Sequence, residues 1–387
     1  MGLPKHLANR SLRQARESVP DMWCKKAILQ SALKSWFLCL LLGAATAERM
    51  QGKSFKVAVD TDLGFASDDA MAMLILLQSE SVELLGVSVV TGNQWRDQEV
   101  ADALRLLELA GRTDVPVYPG AENPLVNNIE EMKTREQTYG DTNEGAYKGA
   151  WREGSPGPKR VHPPDGKFAR RKPEATHASD FLIEATRQHP GEVVLVAIGP
   201  LTNVALALAK DPEIASRTKA LVIMGGGVGT RPEFNFWMDP EAARIVLRAP
   251  WPKLTVTPLN ICYQAPYTRD IAASAAQGDS PIAHYFNEIQ LKGNFPNPVA
   301  SFMYDQLAVL SVIEPKVIKR AEQMWLDVDI DHGPSYGSTL FWNEKQRPKP
   351  GSRKMEVQLD LDYNYFVDSF IALMRKPIRR ASSLQPR

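Results

Sequence analysis

The sequence predicts a single α/β domain built on a mostly parallel, mixed, Rossmann-like sheet with helices on both faces. Three observations predict it. Short apolar, β-branched runs alternate with apolar-periodic stretches of helical length from Phe55 to Met374. Runs such as Glu192–Ile198 are apolar throughout, as strands buried on both faces are. Glycine-rich or acidic turns follow several of these runs, and open α/β sheets present ligands at the carboxyl ends of their strands. The length of 387 residues allows one large domain or two smaller ones, and no internal repeat argues for a solenoid.

Taken in order, the first predicted strand starts at Phe55 and ends in Asp60-Thr61-Asp62, with a helix over Ala70–Leu77 behind the turn. Val82–Val90 is a strand ending in Thr91-Gly92-Asn93. Asp97–Gly111 reads as a helix, with Ala103, Leu106, Leu107 and Ala110 on one face and Gly111 as its stop. Val115–Tyr118 is a short strand. Residues 120–175 read as a long loop, rich in Gly, Pro and charge: either a low-complexity segment or a lid over the carboxyl edge of the sheet. Ala178–Gln188 is helical, Glu192–Ile198 a strand, and Pro200 opens a helix at its first turn. Ala220–Met224 is a strand followed by Gly225-Gly226-Gly227, which lets a backbone come close to a ligand. Asp239-Pro240-Glu241 caps a helix to Leu247, and Leu254–Thr257 is a strand. Pro281–Lys292 and Tyr304–Ile313 are helical, Gln323–Ile330 and Lys354–Leu361 are β-like, and Asn364–Met374 closes the chain as a helix.

Hydrophobic residues make up 44% of the chain, charged residues 24%, and the net charge is +1. That balance gives no electrostatic case for nucleic acid or an anionic membrane as partner. Residues 1–47 are set apart from the domain at 48–387. Lys25 and Lys26 precede the apolar run Trp36–Leu42, which ends in Ala45-Thr46-Ala47. A basic stretch, a short apolar core and an Ala-x-Ala end read as a secretory signal cleaved near Ala47, giving a secreted or periplasmic protein with no membrane anchor after cleavage. The run is too short to span a bilayer. Cys24 and Cys39 lie in that leader, so only Cys262 is left and no disulfide is expected inside the mature chain.

The chemistry concentrates in Asp60-Thr61-Asp62-Leu63-Gly64-Phe65-Ala66-Ser67-Asp68-Asp69-Ala70. Four carboxylates this close repel one another unless a cation sits among them, and hard divalent ions take carboxylate and carbonyl oxygens. Calcium or magnesium is therefore expected. Helix capping alone would explain Ser67, Asp68 and Asp69 but leaves Asp60 and Asp62 without a reason. A calcium-binding EF-hand loop fails, because its twelfth position, a bidentate Glu, falls on Met71. A Mg²⁺-dependent phosphatase using Asp60 as nucleophile is a competing enzyme.

This stretch resembles the signature of the inosine/uridine-preferring nucleoside hydrolases, Asp-x-Asp-x-Gly-x-Asp-Asp-Ala, and four later segments resemble that family in the right order. They are Ser88–Asn93, Leu195–Ala205, Met224-Gly225-Gly226 with Glu233-Phe234-Asn235 and Asp239–Ala243, and Met303–Val309. The resemblance, to a bacterial and exported member, implies the nucleoside hydrolase fold. It implies Ca²⁺-dependent cleavage of the N-glycosidic bond of a ribonucleoside to ribose and free base, by a protein that assembles as a dimer or tetramer. Carried over by position, Asp62, Asp69 and Asp305 would bind Ca²⁺ by side chains and Ile198 by its main-chain oxygen. Asp68 would be the general base toward a metal-bound water. Asn93, Glu233 and Asn235 would hold the ribose hydroxyls, with Met224 and Trp237 also against the substrate, and Asp60 would buttress the loop.

The chain also departs from the family pattern. Three residues separate Gly64 from Asp68 where the signature has one, which leaves open whether Asp68 and Asp69 exchange roles. The loop Gly227–Pro232 is short. Many members have a His before the last metal Asp; here it is Tyr304, the candidate acid for the leaving base, with an ordinary pKa of about 10. Stacking on the base could activate it instead, and Trp95, Trp151 and Trp237 are candidates that packing would equally explain. His162 and His177 suit solvated or capping positions. Besides the phosphatase, an exported, non-catalytic binder of nucleosides or sugars is a third reading.

Overall fold

The computed structural model describes residues 54–140, 147–230, 232–294, 299–346 and 352–378. The leader assigned to residues 1–47 lies outside them. The first strand, β1 (Phe55–Thr61), is apolar enough to be buried along nearly its whole length and leads into helix α1 (Asp68–Gln78). There follow β2 (Val82–Val89), α2 (Arg96–Leu109), β3 (Val117–Pro119), α3 (Ile129–Tyr139), α4 (Ala178–Gln188), β4 (Val193–Ala197) and α5 (Thr202–Lys210). Next come β5 (Ala220–Met224), α6 (Phe234–Met238), α7 (Pro240–Arg248), β6 (Leu254–Thr257), β7 (Pro266–Thr268), α8 (Pro281–Tyr285) and β8 (Val299–Phe302). The described chain closes with α9 (Tyr304–Ile313), β9 (Ile318–Val328), β10 (Thr339–Trp342), β11 (Arg353–Leu361) and α10 (Tyr363–Met374).

Among the described residues, nine strands form one sheet in the order β10-β9-β11-β6-β5-β4-β1-β2-β3, and β7 pairs with β8 apart from it. Every neighbouring pair from β11 to β3 is parallel, while β9 and β10 pair antiparallel. The sheet is thus mostly parallel and mixed, as expected. Alternate residues of its central strands feed two cores. Val57 and Val59 with Val194 and Val196 pack under α1, α2, α9 and α10, whereas Ala58, Val193, Leu195 and Ala197 pack under α4, α5 and α7. Burial on both faces is what removes the polar alternation from these strands.

Three differences from the sequence reading have physical reasons. The stretch 120–175 holds α3, capped by the Asn128 side chain, which accepts from Glu131 N at 2.9 Å. Only Met132 of that helix is buried, so no apolar stripe announces it. Strand β10 is a sheet edge with Leu340 and Phe341 exposed, and the first half of β9 is exposed too. The helix over Pro281–Lys292 changes character in the middle: Phe286–Leu291 is a π turn.

Candidate active site

Helices α1 and α9 pack against each other. Both begin at the carboxyl edge of the sheet, and each carries its acids in its first turn: Asp68 and Asp69 on α1, Asp305 on α9. Carboxylate oxygens of Asp68, Asp69 and Asp305 lie within 4.8 Å of one another. They open on a cavity of about 430 Å³ that Asp62, Asn93, Ile198, Met224, Glu233, Asn235 and Tyr304 also line. Every expected site residue is therefore on one wall or another except Trp237. That ring is buried behind Phe234, edge-on to Trp151 at 5.9 Å, in a packing cluster that also takes in Trp95. None of these three tryptophans reaches the cavity.

Electrostatics sets the character of the site. A helix N-terminus favours anions and would lower a carboxyl pKa. Burial and mutual repulsion win here. Burial, with Asp69 beside it, holds Asp62 well above the carboxylate range. Burial and then the charges of Asp68, Asp69 and Asp62 do the same to Asp305. Asp68 is pushed up to about 7 by burial and by Asp69. Burial raises Asp69 too, against the opposing hydrogen bonds from Thr61 Oγ1 (2.6 Å) and Ser67 Oγ (3.1 Å); Asn93 Nδ2 also donates to it at 2.8 Å. Such a cluster is costly without a cation, and its donors are all oxygen, which suits a hard divalent ion.

Asp62 is tightly walled. Its Oδ2 accepts from Asn93 N at 2.8 Å, and Asn93 Nδ2 returns a bond to Asp62 O at 3.0 Å. Gly92 and Gly199 flank it: a Cβ on either would lie 2.1 Å from Asp62 Oδ2 or 2.9 Å from Asp62 Oδ1. The trio that lies within 4.8 Å includes Asp68, the expected base, and not Asp62. Asp68 follows the longer loop Phe65–Ser67, so its direction could not be read from spacing.

Asp60 is fully buried and off the cavity wall. Its Oδ1 accepts from Ser88 Oγ at 2.6 Å and Asn203 Nδ2 at 2.8 Å. A nucleophile must be reachable, so this geometry does not favour the phosphatase. Glu233 caps α6, accepting from Asn235 N and Phe236 N at 2.8 and 3.1 Å and from Gly226 N at 2.9 Å. Asn235 Nδ2 donates to Ile198 O at 3.0 Å and Met224 O at 3.2 Å, so the carbonyl expected at the metal already has one partner and one lone pair to spare.

The sequence reading missed the aromatic walls. Tyr147 and Phe234 pack 5.1 Å apart on the cavity, and Tyr267 and Phe302 line it with Tyr304. Phe302 and Tyr304 rings lie 6.0 Å apart, with Tyr263 against both. Tyr304 was expected there; Phe234 stands inside a motif, which was the available signal, and Tyr147 and Phe302 gave none. Burial and the charge of Asp68 push the Tyr304 hydroxyl above its ordinary value. His177 caps α4 through Ser179 N, and the backbone of His162 donates to Gln98 Oε1; neither ring lines the cavity.

Residues 57–368 match the profile of a family described as inosine-uridine preferring nucleoside hydrolase. A pyrimidine-specific ribonucleoside hydrolase, RihB of Escherichia coli, is 31% identical over 318 residues, covering 80% of this chain and 94% of that protein. A solved plant nucleoside hydrolase superposes with a TM-score of 0.68 at 27% identity, over 84% of this chain and 99% of the other. An inosine-guanosine nucleoside hydrolase gives 0.67 at 25% identity, over 82% and 98%.

Proposed function

The chain belongs to the inosine-uridine preferring nucleoside hydrolase family, and from that premise we propose how this ribonucleoside N-glycosidase works: with Ca²⁺ among its carboxylates and Asp68 as general base. The observation that carries the proposal is the meeting of Asp68, Asp69 and Asp305, from two helices far apart in the chain, on a cavity shared with Asn93, Glu233 and Asn235.

The residues present fit a hard cation: Asp69 and Asp305, with Asp62 and the Ile198 carbonyl beside them, would hold it. When bound, Ca²⁺ keeps these carboxylates ionised, lowers the pKa of water and orders hydroxyl oxygens at the site. Asp68 is the least buried of the acids and faces the cavity. It takes the proton of the water that attacks the anomeric carbon, an aid typically worth ~10²–10⁴-fold. The sugar passes through an oxocarbenium-like state as the bond to the base breaks. Asn93, Glu233 and Asn235 hold the ribose hydroxyls. Glu233 accepts three backbone N–H groups, which fixes its carboxylate on the cavity wall.

The departing base stacks on the rings of Phe302 and Tyr304. The raised Tyr304 hydroxyl is a weak acid, so we assign its ring rather than its proton the larger share of base recognition. For the N-terminal stretch we keep the exported reading, and dimer or tetramer assembly is checked by light scattering of the mature chain. The test of function is free ribose from inosine, uridine, adenosine and cytidine with Ca²⁺ supplied. Release of ribose from any of them supports the proposal. Nucleoside affinity without ribose means a non-catalytic binder, and phosphate release from a phosphomonoester alone means a phosphatase.

A further inference from the structure

Two buried side chains outside the cavity reach the loop that carries the acids. Tyr285 OH donates to Phe65 O at 2.8 Å, and Gln290 Nε2 donates to Ala66 O at 3.2 Å and to Tyr285 OH at 2.9 Å. The Tyr285 ring also stands edge-on to Phe65, with centroids 5.6 Å apart. Phe65 and Ala66 belong to the stretch between Gly64 and Asp68 that is longer here than in the family signature. Neither Tyr285 nor Gln290 lines the cavity.

The π turn Phe286–Leu291 explains how residues five apart meet the same loop. In an α-helix they would point about 140° apart around the axis. The wider i→i+5 turn brings them onto one face, and π turns of this kind recur at functional sites. From the other side, Asp102 Oδ2 accepts from Phe65 N at 3.0 Å and from Gln94 Nε2 at 2.8 Å. The loop tip is thus gripped through its N–H and through two consecutive carbonyls.

We propose that Tyr285 and Gln290 are positioning residues: the π turn presents them together to fix Phe65 and Ala66, and so to aim Asp68 and Asp69. The inference rests on the metal-dependent hydrolase reading above. It accounts for the longer loop, since each added backbone group would otherwise be a degree of freedom between strand β1 and the acids. Losing one such hydrogen bond is expected to weaken what it aims by about 2–10-fold.

The test compares wild type with Tyr285→Phe, Gln290→Met and the double variant. Thr218→Val serves as control, removing a buried hydroxyl-to-carbonyl bond at the opposite end of the sheet. The readouts are the Ca²⁺ dissociation constant by calorimetry, kcat and KM for ribose release, and melting temperature. The double variant should bind Ca²⁺ about tenfold more weakly and lose kcat with KM little changed. Thr218→Val should lose melting temperature only. Unchanged Ca²⁺ affinity and kcat in the double variant would overturn the inference, whatever happens to its melting temperature. If Gln290→Met does not fold, the same readouts on Tyr285→Phe decide. Weaker Ca²⁺ binding in a protein whose wild type releases no ribose would sink the hydrolase reading and leave the positioning role standing.

Discussion

Replacing Gly92 by Ala should disable the site from one methyl group away. The new Cβ would lie 2.1 Å from Asp62 Oδ2 and 2.6 Å from its Cγ, more than an ångström inside contact. The clash is not a matter of backbone strain, because Gly92 is not in the left-handed region. Nor can either party move away cheaply. The Gly92 carbonyl accepts from Ala150 N at 2.8 Å, and Gly149 packs on it. Asp62 is backed by Gly199 and bonded to Asn93 N. Overpacking of this sort costs about 1–3 kcal/mol of stability. Swinging Asp62 aside would also lose a charge-assisted bond worth about 1.5–3 kcal/mol. If that loss falls on the site, it corresponds to a roughly 10–150-fold lower kcat/KM. Ribose release and Ca²⁺ calorimetry measure it against Gly157→Ala, where nothing lies within 4 Å and no loss is expected. A Gly92→Ala protein with rate and Ca²⁺ affinity within twofold of wild type would refute the reasoning.

Other outcomes follow from the same geometry. Asp305→Ala should abolish measurable Ca²⁺ binding and ribose release, because the remaining buried carboxylates lose a ligand they share; calorimetry showing wild-type affinity would contradict the site. Tyr304→Phe should keep kcat within about threefold, while Tyr304→Ala should raise KM by roughly 5–100-fold through lost stacking, both read by ribose release. Chelation should lower the melting temperature, since saturation at a hundred times Kd stabilises by about 2.7 kcal/mol; a melting curve indifferent to chelator would argue against a cation. Asp211 is held below the carboxylate range by Arg217 and Arg187, each with Nη2 2.6 Å from Oδ2, against the opposing effect of burial. A lowered folded pKa stabilises above the unfolded value of about 3.9 and is lost as pH falls through the folded one. Asp211→Asn should therefore melt lower than wild type at pH 7, with the gap closing below about pH 4.

The parallel core was legible because strands covered on both faces have little choice of residue: Val57 to Val59 and Val193 to Ala197 are apolar on every position. The acids were legible because four carboxylates from the end of β1 to the start of α1 repel one another unless a cation sits among them. What stayed hidden was decided by exposure or by side-chain direction. Helix α3 buries one residue and β10 lies at an edge, so neither carries a periodic signal. Aromatic size pointed to Trp95, Trp151 and Trp237, but large rings serve packing and recognition equally well, and packing claimed these three. Tyr147 and Phe302 reach the cavity from segments with no motif. The grouping of Asp68 rather than Asp62 with Asp69 and Asp305 depends on the Phe65–Ser67 loop, whose course is set by Tyr285, Gln290 and Asp102 from elsewhere in the chain.

That dependence explains how a cluster of acids can persist in a folded protein. Helix α1 is buried from Asp69 to Gln78, and α9 from Asp305 to Ser311. A helix apolar all round cannot shift without exposing core, so both act as fixed rods whose amino ends meet at one point. Their positive ends favour carboxylates there, yet burial and repulsion still hold those carboxyls above their ordinary range. The electrostatic cost is therefore carried by buried elements: β1, α1 and α9 share one hydrophobic core. It is relieved only by a proton or a cation at the junction. A site arranged this way is stiff where the ion belongs, and the loop before Asp68, longer here than in the family signature, is where the π turn takes hold.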